Sequence, residues 1–296
     1  MKRRTITLLV VLVILVAATI IVLRQPGEMS GSGESGQRLA DYDSSAADMV
    51  EVRQSTGITT LEKVDGIWML TSPVRYKADS TAVMSMLNQG KRIQLRELVS
   101  SNPEKQTLFK VDSTGILVRI SQKGTVVAAF YIGKSGPSYT ETFVRRASSN
   151  DVYLADGYLA ATFNRGARDL RDKSIFRADV AAVTSVTFHY GDTTFTLALR
   201  DTVWRIGEVP ANDATVRSFV STLSTLDADG FVDTAITLPK PVGLIEVLGT
   251  QIRFFPQPGG GNYFVQTSAS PQVFTCPSWR GKPILKRKTD FLSPPA

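Results

Sequence analysis

His189 is the only imidazole in the 296-residue chain, so any nucleophilic or metal chemistry that uses histidine must pass through it. It alternates with apolar Phe188 and Tyr190 in a strand-like segment, on the parity that faces away from a core. That is the place of a surface histidine. The sequence holds neither a GxSxG elbow nor an SxxK pair. Cys276, the single cysteine, stands between Thr275 and Pro277 with no base in reach along the chain, which predicts a small buried apolar residue. One cysteine excludes an intramolecular disulfide, and with one histidine it leaves no donor set for zinc or haem.

Carboxylates are the remaining reagents. Asp41, Asp43 and Asp48 lack the central glycine and closing glutamate of a calcium loop, and read as a solvated segment. Glu141, Asp151 and Asp156 could converge into a glycosidase-like pair, although nothing in their spacing favours it. Gly31-Ser-Gly33-Glu-Ser-Gly36 matches the dinucleotide fingerprint letter for letter. That fingerprint works only between a strand and a helix, and neither flanks it here. No catalytic, cofactor-binding or metal-ligating residue is assigned, and no cofactor is expected.

Charge narrows the partners. The formal net charge is +7, but Lys2, Arg3, Arg4 and Arg24 lie at one end and Arg280, Lys282, Lys286, Arg287 and Lys288 at the other. The body between them is close to neutral, so a nucleic-acid partner is not expected. A hydrophobic share of 43% with 21% charged residues is that of a chain that folds.

Residues 1–24 read as a membrane anchor. Ile6 to Leu23 carries no charge and no proline, and as a helix it would extend about 27 Å, close to the thickness of a bilayer core. The basic flank before it predicts a cytoplasmic amino terminus and an extracytoplasmic, periplasmic body at the inner membrane. The alternative is a cleaved leader ending near Val16-Ala17-Ala18. Ile20 to Leu23 continue the apolar run past that point, which favours a retained anchor. Residues 25–48, rich in Gly and Ser, predict a flexible linker with a reach of roughly 27 Å.

The rest of the chain repeats itself. Val50 to Leu70 aligns without a gap on Val186 to Ile206 at an offset of 136, and five of 21 pairs are identical, among them Trp68 with Trp204. Each copy predicts two strands, a turn at Asp65-Gly66 or Asp201-Thr202, and a third strand carrying the Trp. A helix follows, capped by Asp79 or Asn212, with stripes at Val83, Met86, Leu87 and at Val216, Phe219, Val220, Leu223. Later strands are expected near 116–121, 126–132, 142–145 and 152–154, and near 244–248, 251–255, 263–266 and 273–275. The fold class expected is α+β: an amino-terminal transmembrane helix, then two tandem duplicated units, 49–178 and 179–296, each on an antiparallel sheet with one main helix. The second would end in a basic tail, with Lys286-Arg287-Lys288 able to meet anionic headgroups.

Trp68 and Trp204 share the pleat parity of Leu70 and Ile206, which predicts core rings rather than an exposed platform. Arg168, Asp169, Arg171, Asp172 and Lys173 form a dense charged segment that reads as a turn between units or as a partner contact.

Several of these segments together resemble a bacterial family of membrane-anchored proteins, domain-of-unknown-function family 4340. They are Asp65-Gly66-Ile67-Trp68-Met69-Leu70 with Pro73, Ala78-Asp79, Tyr131-Ile132-Gly133, Thr142-Phe143-Val144-Arg145, Val152-Tyr153-Leu154 and Asp169-Leu170-Arg171-Asp172-Lys173. The resemblance implies an accessory role beside ABC-type permeases or gliding-associated proteins of the envelope, and it carries over no catalytic residue. The second copy would lack the Asp-Leu-Arg-Asp-Lys segment, with Trp279-Arg280-Gly281-Lys282 in its place. Two functions follow: a non-enzymatic scaffold or binding subunit of a transporter-like complex, or an extracytoplasmic hydrolase using a carboxylate pair.

Overall fold

The computed structural model describes residues 36–191 and 193–292. The apolar run at Ile6 to Leu23 and the glycine-rich stretch before Gly36 lie outside the described residues. Among the described residues, no helix is long and apolar enough to cross a membrane. The chain divides into two compact units between Arg171 and Asp172.

In the first unit, nine strands make one antiparallel sheet: β1 (Met49–Gln54), β2 (Gly57–Val64), β3 (Ile67–Ser72), β4 (Tyr76–Lys77), β5 (Leu95–Ser100), β6 (Ile116–Gln122), β7 (Thr125–Ser135), β8 (Glu141–Arg146) and β9 (Val152–Asp156). Their order is β4-β3-β2-β1-β6-β7-β8-β9-β5. Helix α1 (Ser80–Arg92) lies between β4 and β5 in sequence. Asp79 caps it by accepting from the Ala82 N–H, and Val83, Met86, Leu87 and Gly90 are its buried stripe. They pack with Val50, Leu61, Leu70, Phe130 and Phe163 in one continuous core. A smaller cluster of Val111, Phe143, Val152 and Leu154 forms beside it.

The second unit repeats that plan. Its strands are β10 (Ser174–Arg177), β11 (Ser185–Tyr190), β12 (Thr193–Arg200), β13 (Val203–Ile206), β14 (Val209–Pro210), β15 (Thr225–Asp227), β16 (Gly230–Val232), β17 (Gly243–Val247), β18 (Thr250–Pro256), β19 (Tyr263–Thr267) and β20 (Ser270–Cys276). The main sheet runs β14-β13-β12-β11-β17-β18-β19-β20-β16, the order of the first sheet strand for strand. Helix α2 (Asp213–Ser224) stands where α1 stands, with Asn212 accepting from the Thr215 N–H. Its core is a cluster of rings in which Phe188 packs on Phe195, Phe219 and Phe291. Burying such a ring contributes roughly 1.5–3 kcal/mol.

Register confirms the sequence offset. Lys63 pairs with Trp68 and Leu61 with Leu70; 136 residues on, Leu199 pairs with Trp204 and Leu197 with Ile206. The Asp65-Gly66 turn has φ of 50° and 82°, the mirror-image geometry that suits the twist of a hairpin. Asp201-Thr202 copies it at 47° and 70°, putting a β-branched residue in the left-handed region.

Three expectations are corrected. The fold class is not α+β, because the described chain is 45% strand and 20% helix. Among the described residues, each unit has one helix beyond single turns, and antiparallel strands supply most of the secondary structure. The linker expected over 25–48 does not hold from Gly36 onward. Gly36 and Leu39 donate to the carbonyls of Leu95 and Ile93, Leu39 is buried, and the buried Tyr42 hydroxyl donates to the Leu87 carbonyl at 2.6 Å. The unit boundary also falls earlier than 178/179, since β10 pairs with β15 inside the second unit.

The last two corrections have one cause: the repeat starts earlier than Val50. Arg38 bridges Gln94 just as Ser174 pairs with Asp227, and Leu39 and Ile175 are both buried. Asp43 accepts from the Ser45 N–H as Asp179 does from Ala181, each through a side-chain oxygen. The offset of 136 therefore runs unbroken from Arg38 to Leu70.

Candidate functional site

The charged segment, read as a turn between units or as a partner contact, is divided between the two units, with Leu170 and Arg171 buried in the first. Gly166 starts a single helical turn, Ala167–Leu170, and its N–H donates to the Asp169 carboxylate at 3.2 Å. That turn drives Leu170 into the core, where it is fully buried. The Leu170 carbonyl then accepts the Asp79 N–H at 2.8 Å, tying the chain end to the cap of α1. Arg171 bridges Ala78 and lays its guanidinium 4.5 Å from the Tyr76 ring centroid, so it is buried too. Only Arg168 and Asp169 are exposed. At the start of the second unit, Asp172 accepts from the Ser174 N–H and hydroxyl, and the Lys173 carbonyl accepts from Ala228.

The second copy has the same strap, contrary to the expectation that it is missing. The Arg287 N–H donates to the Asp290 carboxylate at 2.7 Å, Phe291 is fully buried, and its carbonyl accepts the Asn212 N–H at 2.8 Å. Asp290-Phe291-Leu292 is the counterpart of Asp169-Leu170-Arg171. Trp279-Arg280 belongs to an earlier turn, with Trp279 68% exposed and the Arg280 guanidinium stacked on it. Composition hid the match, because only the aspartate is retained.

The two tryptophans differ in cover. Trp68 is 3% exposed and belongs to the core of the first unit. Trp204 is only partly covered, which corrects its assignment to the core. Its cross-strand neighbour is Leu199 in place of Lys63, and Leu199 is 39% exposed. Val209, which pairs with Ile206 as Tyr76 pairs with Leu70, is 50% exposed. The β12–β14 edge of the second unit therefore carries an open apolar patch where the first unit has a lysine and an arginine-capped tyrosine.

The other candidates are placed as follows. His189 Nε2 lies 3.4 Å from Glu246 Oε2, and its Nδ1 is 3.1 Å from the Thr194 hydroxyl. This has the order of a nucleophilic triad, but none of its three members lines the groove described below. A triad needs a substrate seat and oxyanion donors beside it. Cys276 is 1% exposed, and burial pushes its thiol up to about 11, far from a reactive thiolate. Asp48 accepts from the Lys123 N–H, so with Asp43 it holds turns together. Among the described residues, no cluster of potential ligands could hold a metal ion.

Sequence reasoning missed a groove in the first unit. Ser85, Asn88, Gln89 and Arg92 follow helical spacing along α1, and Asp156 and Leu159 close it from the end of β9; its volume is about 430 Å³. The Arg96 guanidinium donates twice to Asp156, at 2.8 and 2.5 Å, and this bond raises the arginine's own pKa. Glu141 and Asp156 are direct cross-strand partners, while Asp151 stands beyond the other end of β9. The polar stripe of α1 was legible as the back of an amphipathic helix, but nothing in the sequence brings β9 to it.

A model of the family described as Domain of unknown function (DUF4340) matches residues 68–246. The chain belongs to that family. The matched span opens at Trp68 in β3 and closes at Glu246 in β17, so in this DUF4340 member it takes in the strap and the junction between the units. No curated protein and no solved structure matches the chain.

Proposed function

We propose that the chain is a non-catalytic binding subunit, docking a membrane-embedded partner of the envelope through the β12–β14 edge of its second unit. The observation that carries this is the contrast between equivalent positions. Lys63 and Tyr76 are replaced by Leu199 and Val209, and the ring that is buried at Trp68 is partly exposed at Trp204. A duplicated unit that served only stability would keep that edge closed, since exposed apolar area is unfavourable in water. An aromatic flanked by aliphatic side chains is the usual make-up of a binding hot spot. The family resemblance supplies the partner class, a transporter-like assembly. The apolar run from Ile6 to Leu23 would tether the chain to the membrane, raising its effective concentration toward such a partner.

The test is site-directed photo-crosslinking from position 199 of the full chain in intact cells. An adduct with an integral membrane protein, weakened by Trp204→Ser, supports the reading. Adducts unaffected by Trp204→Ser, or their complete absence, refute it.

A second reading, an extracytoplasmic hydrolase, has one observation in its favour: Glu141 faces Asp156 across β8 and β9. Glycoside hydrolysis asks for one carboxyl group set against an apolar wall to keep its proton. Asp156 is exposed and ion-paired with Arg96 at 2.5 Å, and Glu141 accepts from the Ser138 hydroxyl at 2.7 Å. Release of reducing ends from envelope glycan by the wild type, abolished by Glu141→Gln, would favour this reading over docking.

A further inference from the structure

We infer that the groove between α1 and the end of β9 binds a hydroxyl-rich oligosaccharide, with the exposed Tyr158, between lining residues Asp156 and Leu159 in the chain, offering a stacking surface. This site lies in the first unit and is separate from the Trp204 edge.

Three observations converge. The first is the supply of hydrogen-bonding groups. Asn88 Oδ1 accepts from the Ser44 hydroxyl at 2.8 Å, and Gln89 Oε1 accepts from the Thr162 hydroxyl at 3.0 Å. Each amide thus has its carbonyl engaged, and its NH2 group is a donor. The Arg92 guanidinium adds donors, and the Ser85 hydroxyl can do either. Asp156 spends one oxygen on Arg96 and keeps the other as an acceptor. Donors along one wall with an acceptor opposite suit vicinal hydroxyls, each of which gives and takes a hydrogen bond. A simple anion would leave the Asp156 oxygen repelled.

The second observation is the rim. Tyr158 lies between the lining residues Asp156 and Leu159 and is 59% exposed, although the sheet core is close by. Tyr139 is 81% exposed on the β7–β8 loop. That loop is held against the same spot, since Gly157 donates to the Thr140 carbonyl at 2.6 Å and the Leu159 N–H donates to Thr142 Oγ1 at 3.2 Å. Tyrosine pairs a flat apolar face with a polar tip, the combination that packs on the C–H faces of a sugar ring. Tyr158 follows Gly157 directly in the chain, and the Thr140 carbonyl to which Gly157 donates is next to Tyr139.

The third is backbone geometry. Tyr139 has φ of 60°, in the left-handed region where a bulky non-glycine residue is uncommon. Conformations of this kind concentrate at ligand clamps. The groove's volume of about 430 Å³ falls within the range of small-molecule sites.

The experiment is calorimetric titration of the full chain in a zwitterionic detergent, because sugar-headed detergents would compete. The probes are β1,4-linked N-acetylglucosamine tetramer, cellotetraose and inorganic phosphate. Saturable binding of at least one tetrasaccharide is expected, weakened about tenfold or more by Tyr158→Ala and by Asn88→Ala. Trp204→Ser should leave that binding unchanged, which separates this site from the docking edge. Both weakening substitutions are at exposed positions, so an unshifted thermal midpoint will show that the variants remain folded. The inference is overturned if neither sugar binds at about 10 mM, a concentration that would saturate even a millimolar site. It is equally overturned if the variants bind as tightly as the wild type, or if phosphate alone binds.

Discussion

The Asp79 N–H donates to the Leu170 carbonyl at 2.8 Å, and through this bond the last residues of the first unit fasten the start of its main helix. Asn212 and Phe291 make the same bond in the second unit. A helix leaves its first N–H groups without intrahelical partners. Here the cap side chain satisfies one of them, while the strap supplies an acceptor for the cap residue itself. The side chain beside that acceptor, Leu170 or Phe291, is buried completely.

Removing these anchors should be costly. Leu170→Ala is expected to destabilise the first unit by about 2–5 kcal/mol, and Phe291→Ala the second by about 3–5 kcal/mol. Urea unfolding followed by circular dichroism measures both. Losses under about 1 kcal/mol would mean that the strap lies on the core without closing it.

Within the charged segment, the two arginines should separate cleanly. Arg171→Ala removes a buried guanidinium stacked on Tyr76 and should cost about 1–3 kcal/mol. Arg168→Ala, at an exposed position, should stay within about 0.5 kcal/mol of the wild type. Equal effects would mean that the segment acts through its charge and not through the Tyr76 contact.

The tryptophans give a third measurement. With Trp279→Phe as background, acrylamide should quench Trp204 readily and Trp68 hardly at all, because only Trp204 is partly open. Trp68→Ala should cost about 3–5 kcal/mol and Trp204→Ala clearly less. Indistinguishable quenching of the two rings would remove the contrast on which the proposed docking edge rests.

The paired hairpins offer a test of turn chemistry. Thr202 holds φ of 70° where Gly66 holds 82°. Thr202→Gly should raise the stability of the second unit by about 1 kcal/mol, since glycine escapes the left-handed penalty. Gly66→Thr should lower that of the first by a similar amount. A destabilising Thr202→Gly would show that the threonine side chain compensates for its backbone.

Burial of Cys276 carries a pH dependence. Its thiol is raised to about 11, above the unperturbed value of about 8.5, so the native state prefers the protonated form. The contribution is complete below the unfolded pKa and is lost as pH climbs through the interval up to about 11. Thermal midpoints should fall across that window in the wild type and fall less in Cys276→Ala. A wild-type profile that matches the variant would mean the thiol does not titrate differently on unfolding.

What could be read from sequence followed the ungapped part of the repeat. Trp68 and Trp204 align because hairpins tolerate no insertion without losing register, so β1–β3 and β11–β13 kept one offset. Asp79 and Asn212 were legible as caps because capping needs a short side-chain acceptor. Arg38 and Leu39 share the same offset, yet the Gly-Ser composition just upstream disguised them as linker. Leu170 and Phe291 escaped notice because gaps accumulate between them and the hairpins, and burial preserves bulk rather than identity. The groove was hidden for another reason. Asp156 reaches α1 only because β5 crosses to pair with β9, a long-range choice that no local pattern encodes.

That crossing also sets the order of events at the ribosome. β5 is synthesised directly after α1, yet its partner β9 emerges some fifty residues later and the fastening Leu170 later still. Until then, β5 has one row of backbone groups without its native partner, which is the situation that invites mispairing between nascent chains. Once Arg171 has emerged, every strand of the first sheet is present, and nothing from Asp172 onward is needed to finish it. The duplicated architecture thus confines each period of vulnerability to the synthesis of one unit, and spares the chain a single exposure lasting its whole length.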